Sequence, residues 1–141
     1  MARRLGTTKQ LTMTHAQFTI LVVDDDSMTR KVIVDLLRDE GFTTEEANSY
    51  QTALKTYIPG KFDIAILDNQ LEDGTGVELC CKIKETDPEV TIFLFAGASE
   101  EVRLEALECG VSEVLQKPYD LSKLAYLVKR VARRGKTGEI K

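Results

Sequence analysis

Short apolar runs alternate along this chain with segments in which apolar residues recur at helical spacing. The first run, Phe18 to Val23, has the length and β-branched content of a strand, and the helical pattern after it stops at Gly41. The same alternation predicts four more strands, over 42–46, 63–67, 90–95 and 114–115. After the fourth strand, we expect Ser99 to cap a helix that turns Val102, Ala106 and Leu107 inward.

Five strand–helix units with nearly continuous apolar strands predict an α/β protein. Such strands are buried on both sides, which indicates a doubly wound, five-stranded parallel sheet with helices on both faces. The segments 1–17 and 135–141 are polar and without a period. We therefore expect a flexible leader over 1–17, one domain over 18–134, and a flexible tail or the start of a linker over 135–141.

Composition limits the classes of function. The 141 residues are 43% hydrophobic and 30% charged, which is typical of one soluble domain, and the net charge of -4 gives no global attraction to nucleic acid or to an anionic membrane. No apolar stretch approaches the roughly 20 residues of a membrane span, and the N-terminus lacks the apolar core of a signal peptide. We therefore expect a cytoplasmic protein without a membrane partner.

The three cysteines carry no metal-ligand spacing. Cys80 and Cys81 are adjacent, and Cys109 stands apart from both of them. We expect all three to be reduced residues that pack on helices.

Acidic residues stand directly after two of the apolar runs. Asp24, Asp25 and Asp26 follow the first run, and Asp68 follows the third. If these strands are neighbours about 4.8 Å apart, their terminal carboxylates crowd together. Two such charges about 4 Å apart repel by about 4 kcal/mol at an effective dielectric constant of about 20.

This crowding predicts a positive partner beyond the strand ends. Mg²⁺ is favoured, because it accepts one or two carboxylates, keeps several waters and bridges to phosphate. Lys117, at the end of the fifth strand, supplies a second positive charge near Asp68. Asp26 is more typical of a helix cap or a solvated turn.

The order and spacing of these motifs resemble a response-regulator receiver domain of two-component signalling, over about residues 18–134. The matching segments are LVVDD, DIAILD, a glycine-containing loop before the third helix, EALECGVSEVL, and the pair Lys117-Pro118. The resemblance implies a (βα)5, flavodoxin-like three-layer sandwich with strand order 2-1-3-4-5, and a cis peptide bond between Lys117 and Pro118. It implies a phosphoacceptor domain that catalyses its own aspartyl phosphorylation and dephosphorylation and is not a metabolic enzyme.

The resemblance also implies a role for individual residues. Asp68 accepts the phosphoryl group, and Lys117 contacts a phosphoryl oxygen. Asp25, Asp68 and the backbone carbonyl of Gln70 hold Mg²⁺, with Asp24 assisting directly or through water. These assignments follow from the matching motif positions.

The resemblance further implies the kind of partner. The donor is a phosphohistidine on a sensor histidine kinase or on a histidine phosphotransfer protein. The phosphorylated form then changes its interactions with an effector or an output domain outside this chain. Direct nucleic-acid binding is not expected, because no predicted helix presents a basic face, and homodimerisation through the last helices is left open.

Three positions depart from the family pattern. Phe95 stands where the family usually carries Thr or Ser, and a phenyl ring has no hydrogen-bond donor. Val114 stands where the family's usual fifth-strand aromatic residue lies. Glu72 replaces a frequent proline after the phosphoacceptor and adds negative charge near the metal. Phe95 either fills the strand end, takes over the part of the moving aromatic residue, or marks a switch that is rerouted or lost.

These departures leave two alternatives open. The first is a degenerate receiver that works as a docking module independent of phosphorylation, although such a module has no need of an intact acid and lysine set. The second is a haloacid-dehalogenase-like phosphatase, with Asp24 as nucleophile and Asp26 as acid. The second needs a further acidic group after a later strand, which the segment VTIFLFAGA does not offer.

Overall fold

The predicted strand–helix units form in the predicted order in the computed structural model, which describes residues 18–138. The strands are β1 (Thr19–Val23), β2 (Thr43–Ala47), β3 (Ile64–Asp68), β4 (Gln70–Leu71), β5 (Gly74–Thr75), β6 (Thr91–Ala96) and β7 (Glu113–Gln116). The helices are α1 (Ser27–Asp39), α2 (Tyr50–Thr56), α3 (Gly76–Thr86), α4 (Glu100–Glu108) and α5 (Leu121–Gly138). The predicted leader lies outside the described residues, and the domain boundaries stay predictions.

Five strands form one parallel sheet in the order β2-β1-β3-β6-β7. This is the predicted order 2-1-3-4-5, because β4 and β5 pair only with each other in a separate antiparallel hairpin. The chain leaves β1 for β2 on one side and then returns to place β3 on the other. The switch in strand order therefore lies between β1 and β3, where α/β proteins of this type bind their ligands.

Alternate residues of the central strands enter two separate apolar cores. In β1, Ile20 and Val22 pack into the core that contains side chains of α1 and α5, while Leu21 and Val23 pack into the core of α2, α3 and α4. All four residues are buried. A strand covered by helices on both faces needs apolar residues at every position, which explains the uninterrupted apolar runs of the sequence.

The predicted N-terminal caps of two helices are confirmed. The Asp26 carboxylate accepts a hydrogen bond from the backbone N–H of Thr29 at the start of α1, and the Ser99 hydroxyl accepts one from Val102 at the start of α4. These bonds satisfy backbone donors that the first helical turn leaves without partners.

The segment NQLEDGTG, predicted as a loop, contains the short hairpin of β4 and β5. Glu72 and Asp73 form its turn, and the Asp73 carboxylate accepts the backbone N–H groups of Tyr50 and Gln51 at 2.8 and 3.0 Å. A Cβ atom at Gly74 would lie only 2.8 Å from the Tyr50 ring. Tertiary contacts with α2 therefore fix a segment whose own sequence is typical of a loop.

The prediction that all three cysteines are reduced is wrong for two of them. Cys81 of α3 and Cys109 at the end of α4 form a disulfide, with their Cα atoms 5.1 Å apart, within the usual range for this bond. Cys80 is a free, buried thiol, and burial raises its pKa to about 11. The sequence spacing gave no indication of the pair, because the fold brings the two helices together.

Some apolar side chains of the helices face outward. Leu107 is 40% exposed, so the prediction that it turns inward is wrong, and Met28 on α1 is 75% exposed. The prediction for Ala106 on the same helix is confirmed, because its side chain is fully buried, and Val102 is partly buried against the core. No helix among residues 18–138 is long and apolar enough to cross a membrane.

Candidate functional site

Three carboxylates meet at the switch point of the sheet. Asp24 and Asp25 follow β1 directly, and Asp68 is the last residue of the neighbouring strand β3. One oxygen atom from each carboxylate can be chosen such that all three lie within 4.8 Å of one another. Asp24 and Asp68 are only 2% and 5% exposed, so the predicted crowding of charges occurs with little access to solvent.

Lys117 reaches this cluster from the far side of β6. It follows β7, its backbone N–H donates to the carbonyl of Ala96, and its Nζ lies 2.7 Å from Asp68 Oδ1. The peptide bond between Lys117 and Pro118 is cis. The three carboxylates therefore have one ammonium group beside them, and it contacts Asp68.

The Asp24 carboxylate is held at both oxygens. Oδ1 accepts the backbone N–H of Asp26 at 2.9 Å, and Oδ2 accepts the hydroxyl of Tyr119 at 3.1 Å. Burial raises the pKa of Asp24 above its usual value, and the charges of Asp68 and Asp25 raise it further, against the opposing effect of the two hydrogen bonds. The site therefore favours added positive charge, either a proton or a cation.

Asp25 is less buried and is oriented by the hairpin. Its Oδ2 accepts the backbone N–H of Glu72 at 3.1 Å. Gln70, in β4, has its own backbone N–H 3.4 Å from Asp68 Oδ1. The hairpin thus contacts two of the three carboxylates, and the metal-ligand role of the Gln70 carbonyl stays a prediction.

Phe95 and Val114 do not pack together. Phe95 pairs with Asp68 across the sheet, is 1% exposed, and packs into the core on the side of α1 and α5. Val114 packs against the core on the opposite face. The Phe95 ring instead contacts Tyr119, with ring centroids 4.4 Å apart. A role for Phe95 in switching stays a prediction.

Asp26 lies outside the group of three carboxylates. The backbone N–H and the hydroxyl of Thr29 both donate to its side chain, and these bonds hold the pKa of Asp26 below its usual value. A carboxylate that caps a helix and stays ionised is poorly suited to serve as the acid of a hydrolase.

Sequence reasoning missed two residues of the site. The guanidinium of Arg30 donates to the backbone carbonyl of Asp24 at 2.7 Å and to Glu46 at 2.9 Å. Tyr119 donates to Asp24 from a position 95 residues away. An aromatic residue two positions beyond Lys117 was a usable signal for Tyr119, whereas nothing local distinguished Arg30 from other basic residues of a helix.

Comparison with known proteins identifies the family. The sequence-family model for the response regulator receiver domain matches residues 20–129 of this chain. The phosphate regulon transcriptional regulatory protein PhoB of Pseudomonas aeruginosa is 32% identical over 124 residues, which cover 86% of this chain and 54% of that protein. The transcriptional regulatory protein ResD of Bacillus subtilis is 29% identical over 115 residues, covering 82% of this chain and 48% of that protein.

Solved structures agree with these matches. The CheY-like response regulator receiver domain protein of Methanospirillum hungatei JF-1 is 27% identical and has a TM-score of 0.79, covering 86% of this chain and 98% of that one. The chain spans about half the length of the two curated relatives named above. The match over most of the domain, together with the sheet order and the carboxylate cluster, shows that the chain belongs to the family of response regulator receiver domains, which serve phosphorelay signalling rather than metabolism.

Proposed function

We propose that Asp68 is the phosphoacceptor of this receiver domain. The observation that carries the proposal is the contact of 2.7 Å between Lys117 Nζ and Asp68 Oδ1, beside the carboxylates of Asp24 and Asp25. The donor is a phosphohistidine on a sensor histidine kinase or on a histidine phosphotransfer protein. The phosphorylated domain then signals through changed contacts with an effector or an output domain outside these residues.

The donor set suits Mg²⁺. Asp24, Asp25 and Asp68 bring more negative charge than Lys117 neutralises, and carboxylate oxygens are ligands that Mg²⁺ prefers. These three residues would hold the ion, with the Gln70 carbonyl as an additional backbone ligand. When bound, Mg²⁺ would neutralise charge on the oxygens of the transferring group.

Each group of the site then has its own role in phosphoryl transfer. Oδ1 of Asp68 accepts from Lys117 and from the Gln70 N–H, which leaves the lone pairs of Oδ2 for attack on phosphorus. As the new O–P bond forms, the P–N bond of the donor breaks and its electron pair returns to the imidazole nitrogen. The Lys117 ammonium group moves from the carboxylate to a phosphoryl oxygen. In-line transfer of this kind requires mainly positioning and charge neutralisation.

The proposal is tested by intact-mass analysis of the complete chain after incubation with acetyl phosphate. We expect a gain of one phosphoryl group in the presence of Mg²⁺ and no gain after chelation with EDTA. Peptide mapping should place the group on the peptide that contains Asp68. The absence of any gain in a chain shown to be folded by circular dichroism would contradict the proposal and favour the docking module.

A second prediction concerns the hydrogen bond from Glu72 to Asp25. Glu72→Pro removes the backbone N–H that holds Asp25 Oδ2. The turn itself tolerates proline, because neither Glu72 nor Asp73 has a positive φ and proline is favoured at the first central position of a type I turn. We expect the dissociation constant for Mg²⁺, measured by calorimetry, to rise about three- to tenfold, the equivalent of one hydrogen bond.

Glu72→Ala is the matched control for this effect. It keeps the backbone N–H and removes only a carboxylate, so its affinity for Mg²⁺ should equal or exceed that of the wild type. An equal loss of affinity in both variants would show that the side chain, and not the backbone donor, is responsible.

A further inference from the structure

Tyr119 contacts three side chains in and beside the carboxylate cluster, and the proposed chemistry gives it no role. Its hydroxyl donates to Asp24 Oδ2 at 3.1 Å, and its ring centroid lies 4.4 Å from that of Phe95. The Nζ of Lys117 lies 5.7 Å from the same ring centroid. One half-buried side chain therefore contacts a carboxylate of the cluster, the lysine of the cluster, and the residue that replaces the family's usual hydroxyl.

We propose that Tyr119 is a positioning residue that holds the Asp24 carboxylate for the divalent cation, and that Phe95 in turn holds the Tyr119 ring. The inference rests on the proposed function, because it concerns the cation that the three carboxylates would bind. Partners that hydrogen-bond to metal ligands fix the orientation of those ligands, and their removal typically weakens metal binding by 10- to 100-fold.

The geometry at Asp24 supports this role. The carboxylate is almost fully buried, and its two oxygens accept one bond each, from the Asp26 backbone and from the Tyr119 hydroxyl. The backbone donor is fixed by the start of α1, whereas the hydroxyl is placed only by the position of the tyrosine ring. Any residue that fixes this ring therefore also fixes Asp24.

Phe95 is placed to fix the ring. It is buried near the end of β6, opposite Asp68, so its own side chain has little freedom. Its contact with Tyr119 has a tilted geometry, with an angle of 57° between the ring planes, of the kind that stabilises aromatic pairs beyond simple burial. A serine or threonine at this position would leave that side of the Tyr119 ring without an aromatic partner. Phe95, which departs from the family pattern, thus has a role in positioning a residue of the metal site.

The test compares Mg²⁺ binding by calorimetry in the complete chain and in three variants. Tyr119→Phe keeps the ring and removes only the hydroxyl, and we expect its dissociation constant for Mg²⁺ to rise about tenfold. Phe95→Leu keeps an apolar side chain and removes the ring contact, and we expect a smaller rise. Tyr126→Phe is the control, because Tyr126 is an exposed tyrosine of α5, and its affinity should not change.

A double variant that combines Tyr119→Phe with Phe95→Leu separates positioning from a general structural effect. If Phe95 acts through the Tyr119 hydroxyl, Phe95→Leu adds little in a chain that already carries Tyr119→Phe. The rise in the dissociation constant of the double variant is then smaller than the product of the rises in the two single variants. A residue that only contributed to folding would lower the urea midpoint without changing the affinity of the folded chain for Mg²⁺.

Two outcomes would overturn the inference without affecting the proposed function. An affinity of Tyr119→Phe within twofold of the wild type would remove the role of the hydroxyl, while phosphorylation of the wild type on Asp68 would leave the proposed function intact. Fully multiplicative effects in the double variant would remove the link through Phe95. A wild-type chain that binds no Mg²⁺ and gains no phosphoryl group would instead overturn the proposed function together with this inference.

Discussion

Asp68→Asn should abolish the phosphorylation of this chain by acetyl phosphate, whereas Asp26→Asn should leave it unchanged. The amide has the shape of the carboxylate but not its charge, so it is a poor nucleophile and loses the ion pair with Lys117. Asp26 is close in sequence to the cluster but caps α1, and asparagine caps helices as well as aspartate does. Intact-mass analysis in the presence of Mg²⁺ measures both variants.

Two results would contradict this assignment. A phosphoryl gain that persists in a folded Asp68→Asn chain would place the acceptor elsewhere. Turnover of the donor that survives Asp68→Asn but is lost in Asp24→Asn would support the phosphatase alternative. Circular dichroism of each variant serves as the control for folding, so that a loss of activity is not mistaken for a loss of structure.

Gly76→Ala should destabilise the domain by about 1–3 kcal/mol, the usual cost of overpacking a core. A Cβ atom at Gly76 would lie 2.5 Å from Leu94 Cδ1, 2.7 Å from the Asp68 carbonyl oxygen and 3.0 Å from the Cα of Asn69. Two of these atoms belong to the backbone at the end of the acceptor strand, so they cannot move without shifting the site. The free energy of unfolding from urea titration measures the effect.

Gly97→Ala is the matched control. Apart from the two adjacent residues, no atom lies within 4 Å of a Cβ built at Gly97, and neither glycine has a positive φ. Both substitutions reduce the freedom of the unfolded chain to the same degree, so the difference between the variants measures the space around position 76. We expect Gly97→Ala to stay within about 0.5 kcal/mol of the wild type. Equal stabilities for the two variants would contradict the close packing at Gly76.

The parts of the structure that the sequence predicted well follow from local patterns. Apolar runs that end in Asp24 or Asp68 mark strand ends, and parallel strands bring their carboxyl ends to one edge of a sheet. The meeting of the acids with Lys117 needed only the correct strand order. The family resemblance supplied that order, which periodicity alone does not fix.

The parts that the sequence did not predict depend on contacts between distant segments. The β4–β5 hairpin is fixed by the hydrogen bonds that Asp73 in its turn accepts from the start of α2, more than 20 residues away. The bond of Tyr119 to Asp24 spans 95 residues. The outward position of Leu107 depends on how α4 lies on the sheet, which helical spacing does not specify. Such features appear only after the elements are packed.

The bond between Cys81 and Cys109 gives the polypeptide a ring. The ring closes over a separation of 28 residues and contains all of β6 and α4, including Phe95 and the connection through Gly97. A single proteolytic cut inside this ring would therefore release no fragment, because both new ends would stay covalently attached until the sulfurs were reduced. β6, one of the two strands that pair with the acceptor strand, thus lies inside a covalent ring that does not depend on its hydrogen bonds.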